Sequence, residues 1–220
     1  MTDLSRILKA YELFLKHHSI RLNVNQCHLI GLFLQELIEW NKTFNLTGLR
    51  GAHQIVRHLL LDSLICAAKL PNRGSVLDVG SGAGFPAIPI KIYNPEVEIL
   101  LLEPNRRRAN FLKHIKRVLG FRGFQVLRER LEEHKRYNYG AYDVVTARGV
   151  MSPLELIAHC SDLLRNKAIL VLFLGGGETR PPTSLLEQAG KEGLVLQQLL
   201  HYSLPGLKTI RQLAFFQKCD

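Results

Sequence analysis

The stretch Val76-Leu77-Asp78-Val79-Gly80-Ser81-Gly82-Ala83-Gly84-Phe85-Pro86 decides the fold. A short apolar run leads directly into three alternating glycines, and Pro86 then opens a helix, where its missing N–H is not needed. Glycine lets the chain turn sharply and bring its backbone close to a ligand. The helix beyond begins with N–H groups that have no partner within the helix.

Outward from this loop, short apolar runs alternate with helical stretches to the end of the chain. Ser75–Val79, Glu98–Leu102, Gln125–Leu127, Tyr142–Thr146, Ala168–Leu174, Leu194–Leu200 and Ile210–Gln217 read as strands. Helices are expected near Pro86–Tyr93, Arg106–Leu119, Pro153–Leu164 and Pro182–Gly190. Such alternation predicts a seven-stranded, mostly parallel α/β sheet with helices on both faces. Upstream the pattern is helical throughout. Leu4, Ile7, Leu8 and Tyr11 recur at helical spacing, as do Leu29, Leu32, Phe33, Leu37 and Trp40. A third helix over Ala52–Leu70 runs until Pro71-Asn72-Arg73-Gly74 breaks it. Residues 1–72 are therefore expected to form a helical N-terminal extension and residues 73–220 the α/β domain.

The loop also reports on its ligand. Dinucleotide enzymes carry G-x-G-x-x-G, with pyrophosphate on the helix N-terminus. This chain reads G-x-G-x-G, with Phe85 in place of the third glycine of that pattern, and Asp78 precedes the first glycine. A carboxylate there would repel a pyrophosphate and suits a cation, such as the sulfonium and ammonium of S-adenosylmethionine. Glu103 ends the second strand about twenty residues on, where an acid accepts ribose hydroxyls. A plain strand-turn-helix connection is the alternative.

Composition narrows the class. Net charge is +10, a field that attracts polyanions. The four cysteines (Cys27, Cys66, Cys160, Cys219) are scattered, which fits reduced thiols rather than a zinc site. No metal is expected. Charged and apolar residues alternate through the first twenty positions, and the longest apolar run, Ala168–Leu174, is far below the ~20 residues of a membrane span. A cytoplasmic monomer with no membrane association is expected. The fourth strand is followed by Ala147-Arg148-Gly149-Val150, without the Asn/Asp-Pro-Pro-aromatic run that accompanies methylation of exocyclic amines, and without a cysteine nucleophile. What remains is an acceptor that is already nucleophilic. Guanine N7 has a lone pair and no proton, so alignment and electrostatics could suffice.

On these residues the chain resembles the small-subunit ribosomal RNA methyltransferase G family, also called glucose-inhibited division protein B. The likeness is most specific in Trp40-Asn41-Lys42-Thr43-Phe44-Asn45-Leu46-Thr47, in Arg57-His58-Leu59-Leu60-Leu61-Asp62-Ser63-Leu64, in Asp78–Pro89 and in Val144-Val145-Thr146-Ala147-Arg148. It implies a Rossmann-like class I methyltransferase preceded by helices. The expected reaction moves the methyl group of S-adenosylmethionine, leaving S-adenosylhomocysteine, to N7 of a guanine in the decoding region of small-subunit (16S) ribosomal RNA. Another nucleic acid, a protein or a small molecule is the alternative acceptor. By position, the resemblance places Asp78, Gly80, Ser81, Gly82, Gly84, Phe85, Glu103, Leu131, Glu132 and Arg148 around the cofactor. It makes Arg148 and Arg211 the catalytic arginines and His58 with Asp62 the helical motif that meets RNA. The sequence departs from the family in two places. A lysine usual after the fifth strand is absent from Phe173-Leu174-Gly175-Gly176-Gly177, so its contact is either missing or supplied by Lys167 or Arg180, and Arg148 is followed by Gly149 rather than alanine.

Plainer readings stand beside these. Arg148 could be an ordinary loop arginine and Arg211 a solvated strand-end charge. His58 and Asp62, at i and i+4, could be a structural pair. Arg106, Lys113 and Arg117 fall on the polar side of their helix, a face that is either simply solvated or tracks RNA phosphates.

Overall fold

The computed structural model describes residues 3–175 and 180–220; Gly176 and Gly177 of the expected lysine loop lie outside the described residues. Every run expected as a strand is one: β1 (Arg73–Val79), β2 (Glu96–Leu102), β3 (Phe124–Leu127), β4 (Tyr142–Ala147), β5 (Leu164–Leu174), β6 (Leu194–Ser203) and β7 (Ile210–Lys218). They form one sheet in the order β3-β2-β1-β4-β5-β7-β6. β1 to β5 pair in parallel, and β7 lies antiparallel between β5 and β6. The chain moves to one side of β1 for β2 and β3, then crosses back for β4. The carboxyl ends of β1 and β4 therefore flank the topological switch point, where open α/β sheets bind ligands.

Helices α1 (Asp3–Ala10), α2 (Glu12–His17) and α3 (Val24–Phe44) precede the sheet. Asn23 starts α3 with a capping box, its side chain accepting from Gln26 N. The Gln26 amide also reaches the carbonyls of Ile92 and Tyr93. The apolar stripe of α3 buries Ile30, Phe33, Leu34 and Leu37. The helix expected over residues 52–70 runs unbroken to Ala67 but is not regular. It is α4 (Ala52–Ile55), a π-helical turn over Val56–Leu60, and α5 (Leu61–Ala67). A π turn accommodates one extra residue and takes carbonyls out of the regular i→i−4 ladder.

Within the sheet region, α6 (Ala87–Tyr93) and α7 (Arg106–Val118) join these helices over one face. The five-residue α8 (Leu131–Lys135), which the sequence pattern does not predict, follows β3. α9 (Pro153–Cys160) and α10 (Thr183–Lys191) cover the other face, where Leu77, Val145, Leu170 and Phe216 are buried. Apolar burial on both faces is what holds the strand ends at the switch point in fixed register.

Candidate active site

Asp78 is next to last in β1 and fully enclosed, 1% exposed. Its Oδ1 accepts from Thr146 Oγ1 of β4 at 2.7 Å, and Asp78 and Thr146 are register partners. Its Oδ2 is buried without a hydrogen-bond partner. A carboxylate oxygen left so would normally cost about 1–3 kcal/mol or more, so it marks a place where an outside donor or cation belongs. Burial pushes the Asp78 pKa up to about 6, opposed by the Ser81 and Thr146 hydroxyls and reinforced by the Glu103 charge.

The glycine loop is built as its spacing requires. Gly80 has φ +65°, and a Cβ on it would stand 2.4 Å from Val150 Cγ2. A Cβ on Gly84 would stand 2.2 Å from Ile88 Cδ1, so α6 can approach the loop only without a side chain there. Gly82 differs: its Cβ would meet nothing nearer than the Gly80 carbonyl at 3.8 Å, so its outer side is open. Ser81 is buried, with its hydroxyl on the Asp78 carbonyl. The Phe85 ring packs in the core against Phe33, 5.1 Å between centroids, which leaves only its backbone for a ligand.

Glu103, just past β2, is 3% exposed and ties the loop to the next turn. Its Oε2 accepts from Gly82 N and its Oε1 from Asn105 N, both at 2.8 Å. Each oxygen keeps a second lone pair, so the carboxylate can still accept hydroxyls. Leu131 is buried beneath the first turn of α8, whereas Glu132 beside it is exposed. Orphaned Asp78 Oδ2, open Gly82 and anchored Glu103 together fit a nucleoside cofactor that carries positive charge.

Beside this cradle the structure collects four polar side chains from distant parts of the chain. Asp62, on α5, is wholly buried. Its Oδ2 accepts from Arg148 Nη2 at 2.8 Å and from Arg211 Nη1, and its Oδ1 accepts from the Tyr202 hydroxyl at 3.0 Å. Arg148 also donates to the His58 carbonyl at 2.6 Å and the Leu59 carbonyl at 3.4 Å, both in the π turn. Its guanidinium stands over the Phe173 ring, 5.3 Å from the centroid. The extra residue in the helix thus supplies the carbonyls that hold the arginine. Burial raises the Asp62 pKa, and the charges of Arg148 and Arg211 oppose that rise. Burial and the Asp62 charge push the Tyr202 phenol up, so it remains a donor. Burial also holds the neighbouring Cys66 thiol up, reinforced by the Asp78 and Asp62 charges, so it is no nucleophile.

Several expectations change here. His58 and Asp62 do not form the pair that i, i+4 spacing suggests: the His58 backbone meets Arg148, and Asp62 bonds the two arginines and Tyr202. Burial, then the Arg57 charge, lowers the His58 pKa. Lys167 stands near the start of β5 and pairs with Asp220 at 3.5 Å. Seven residues of strand, about 23 Å, separate it from Leu174, so it cannot replace the family lysine. Arg180 is exposed. Arg106, Lys113 and Arg117 are all exposed on α7. Sequence reasoning assigns no role to Tyr202 or Thr146; Tyr202 gives no local signal, whereas Thr146 sits in the fourth-strand motif. No group of His, Cys, Asp and Glu among the described residues could hold a metal ion, and no described helix is long and apolar enough to cross a membrane.

Residues 26–207 match the family model described as rRNA small subunit methyltransferase G. The chain is 33% identical over 204 residues to ribosomal RNA small subunit methyltransferase G 1 of Syntrophobacter fumaroxidans, covering 91% of both. It is 31% identical over 222 residues to ribosomal RNA small subunit methyltransferase G of Moorella thermoacetica, covering 99% of this chain and 91% of that one. Among solved structures, the 1,6-didemethyltoxoflavin-N1-methyltransferase of Burkholderia thailandensis, which holds S-adenosylhomocysteine, superposes with a TM-score of 0.62. That likeness covers 91% of this chain and 92% of the other at 12% identity, so it speaks for the fold.

Proposed function

Because the chain belongs to the rRNA small subunit methyltransferase G family, we infer that it transfers a methyl group from S-adenosylmethionine to N7 of a guanine in the decoding region of small-subunit (16S) ribosomal RNA. The observation that carries the reading is the unpartnered Oδ2 of Asp78 at the switch point, beside the arginine cluster on Asp62. S-adenosylmethionine, when bound, supplies an electrophilic methyl group on a sulfonium centre.

The residues of the chain position and polarise. Asp78 faces the positive charge of the cofactor, Glu103 accepts its ribose hydroxyls, and Gly82 lets it lie against the loop backbone. N7 of guanine presents a lone pair and no proton, so no side chain has to remove one. Alignment is then the main requirement. Arg148 acts as a positioning residue, because its donors are engaged with Asp62 and the π turn. Arg211 uses only Nη1 on Asp62, and its side chain is 26% exposed. Its remaining donors are assigned to a phosphate of the target nucleotide. Methylation leaves the base positively charged, and a guanidinium directly against it would oppose the reaction. Bonded to phosphate, with Asp62 behind it, Arg211 would not.

The helical segment 1–72 supplies Asp62 and the π turn, while residues 73–220 supply the cofactor cradle and both arginines. The protein works as a monomer, in the cytoplasm, on ribosomal RNA or a ribosomal particle. The test is to incubate it with labelled S-adenosylmethionine and small subunits that lack their native N7-guanine methylation, then map the label. Label on a single guanine N7 is expected. Cofactor binding without transfer to RNA would overturn the acceptor.

A further inference from the structure

The positive charge of this chain is not spread evenly. Between Pro104 and Arg136 lie eleven basic residues against three acidic ones, so this segment holds eight of the chain's ten net positive charges. It comprises α7, the edge strand β3 and α8, which form one flank of the sheet. On α7, Arg106, Asn110, Lys113 and Arg117 follow at intervals of four, three and four. This spacing places them on one line along the helix, and all four are exposed. The line is about 16 Å long. It starts three residues past Glu103, at the cofactor edge, and runs away from it. Arg122 continues it past the far end of the helix, while Arg128 and Arg130 widen it at the cofactor edge.

Some bases elsewhere have neutralising neighbours: Lys16 has Glu12, Lys42 has Glu39 and Arg165 has Asp143; within the flank, Lys135 has Asp162. Among the described residues no carboxylate forms an ion pair with Arg106, Lys113, Arg117, Arg122, Arg128 or Arg130. A row of unneutralised cations repels itself, and a polyanion relieves that repulsion. Most are arginines, whose forked donors match phosphate oxygens.

We propose that this flank, formed by α7 and the two ends of β3, is a docking track for the RNA backbone flanking the target guanine. The proposal rests on the RNA methyltransferase reading above. The track carries phosphates away from the reaction edge and sets affinity and register, while the Asp62 cluster and the glycine loop govern the methyl transfer itself.

The test replaces Lys113, Arg117 and Arg122 together by glutamine and measures binding to protein-free small-subunit rRNA over a salt series. The plot of log K against log salt should become shallower by about 0.7–0.9 for each phosphate no longer engaged. KM for RNA should rise about tenfold or more, with S-adenosylmethionine affinity unchanged and the Lys16→Gln/Lys42→Gln protein behaving as the parent. An unchanged slope and KM would overturn the proposal. So would a defect seen with assembled subunits but absent with protein-free RNA, which would assign the flank to an acidic ribosomal protein. Failure of the parent protein to methylate RNA, despite binding it through this flank, would instead count against the function reading alone.

Discussion

The Tyr202 hydroxyl donates to Oδ1 of Asp62 at 3.0 Å, joining β6 to α5 across 140 positions of sequence. Asp62 thereby has a donor from the last hairpin on one oxygen and two guanidiniums on the other. Tyr202→Phe removes that donor and leaves Oδ1 without any described partner. A loss of about 1–3 kcal/mol of stability is expected, visible in thermal melts, with turnover reduced and cofactor affinity retained. Unchanged melting and turnover would show that the hydroxyl does not hold the carboxylate in place.

The two arginines should separate in their effects. Arg148→Ala leaves the His58 and Leu59 carbonyls without their guanidinium partner, and it should lower both stability and turnover. Arg148→Lys should not restore activity, because one ammonium cannot bridge Asp62 and both carbonyls. Arg211→Ala should melt near the parent temperature while raising KM for RNA and lowering kcat. Steady-state kinetics with melting curves on the three variants check the division; equal melting losses for both alanine variants would contradict it.

Asp78 makes the protein sensitive to pH in a defined direction. Burial raises its pKa to about 6, above the ordinary aspartate value of 3.8. The folded form thus binds this proton more tightly than the unfolded form, so the contribution of Asp78 to stability of the cofactor-free protein is fully present below about pH 4 and is lost as pH rises through about 6. A cationic cofactor prefers the ionised carboxyl, so its affinity should climb over the same interval. Denaturant melts and cofactor titrations between pH 4 and 8 measure both trends. Asp78→Asn should flatten both curves and weaken cofactor binding, and a titration curve that keeps its slope in this variant would remove Asp78 from the assignment.

Gly80→Ala and Gly82→Ala should also differ. At Gly80 the new methyl group would press on Val150, so the loop and the fold should suffer. At Gly82 the methyl group enters open space at φ +55°, costing on the order of 1 kcal/mol in backbone strain, so the chief effect should be loss of cofactor affinity. Melting curves and cofactor dissociation constants, taken together, distinguish the two cases.

Strand positions are legible in the sequence because apolar runs of a few residues, broken by turns, leave a local pattern. The build of the glycine loop is legible for the same reason: Asp78 and the glycines are neighbours in sequence. The π turn is not, since residues 52–70 carry one continuous apolar periodicity that does not reveal a single extra residue. Nor is the true environment of Asp62. Spacing points to His58, four residues away, whereas its partners lie 86, 140 and 149 residues on and are brought to it only by the sheet. α8 is too short for a periodic signal to accumulate.

The placement of β7 has a consequence for the order in which this protein becomes competent. Although β7 is synthesised after β6, it lies between β5 and β6, so this sheet cannot close until the chain has passed Lys218. A nascent chain that has reached only β6 already holds the cofactor cradle, yet it exposes the apolar edge of β5 and lacks Arg211. The enzyme is therefore assembled from the cofactor side first. Arg211 joins Asp62 only once β7 has been made, and chains cut short before Ile210 should aggregate rather than act as partial enzymes.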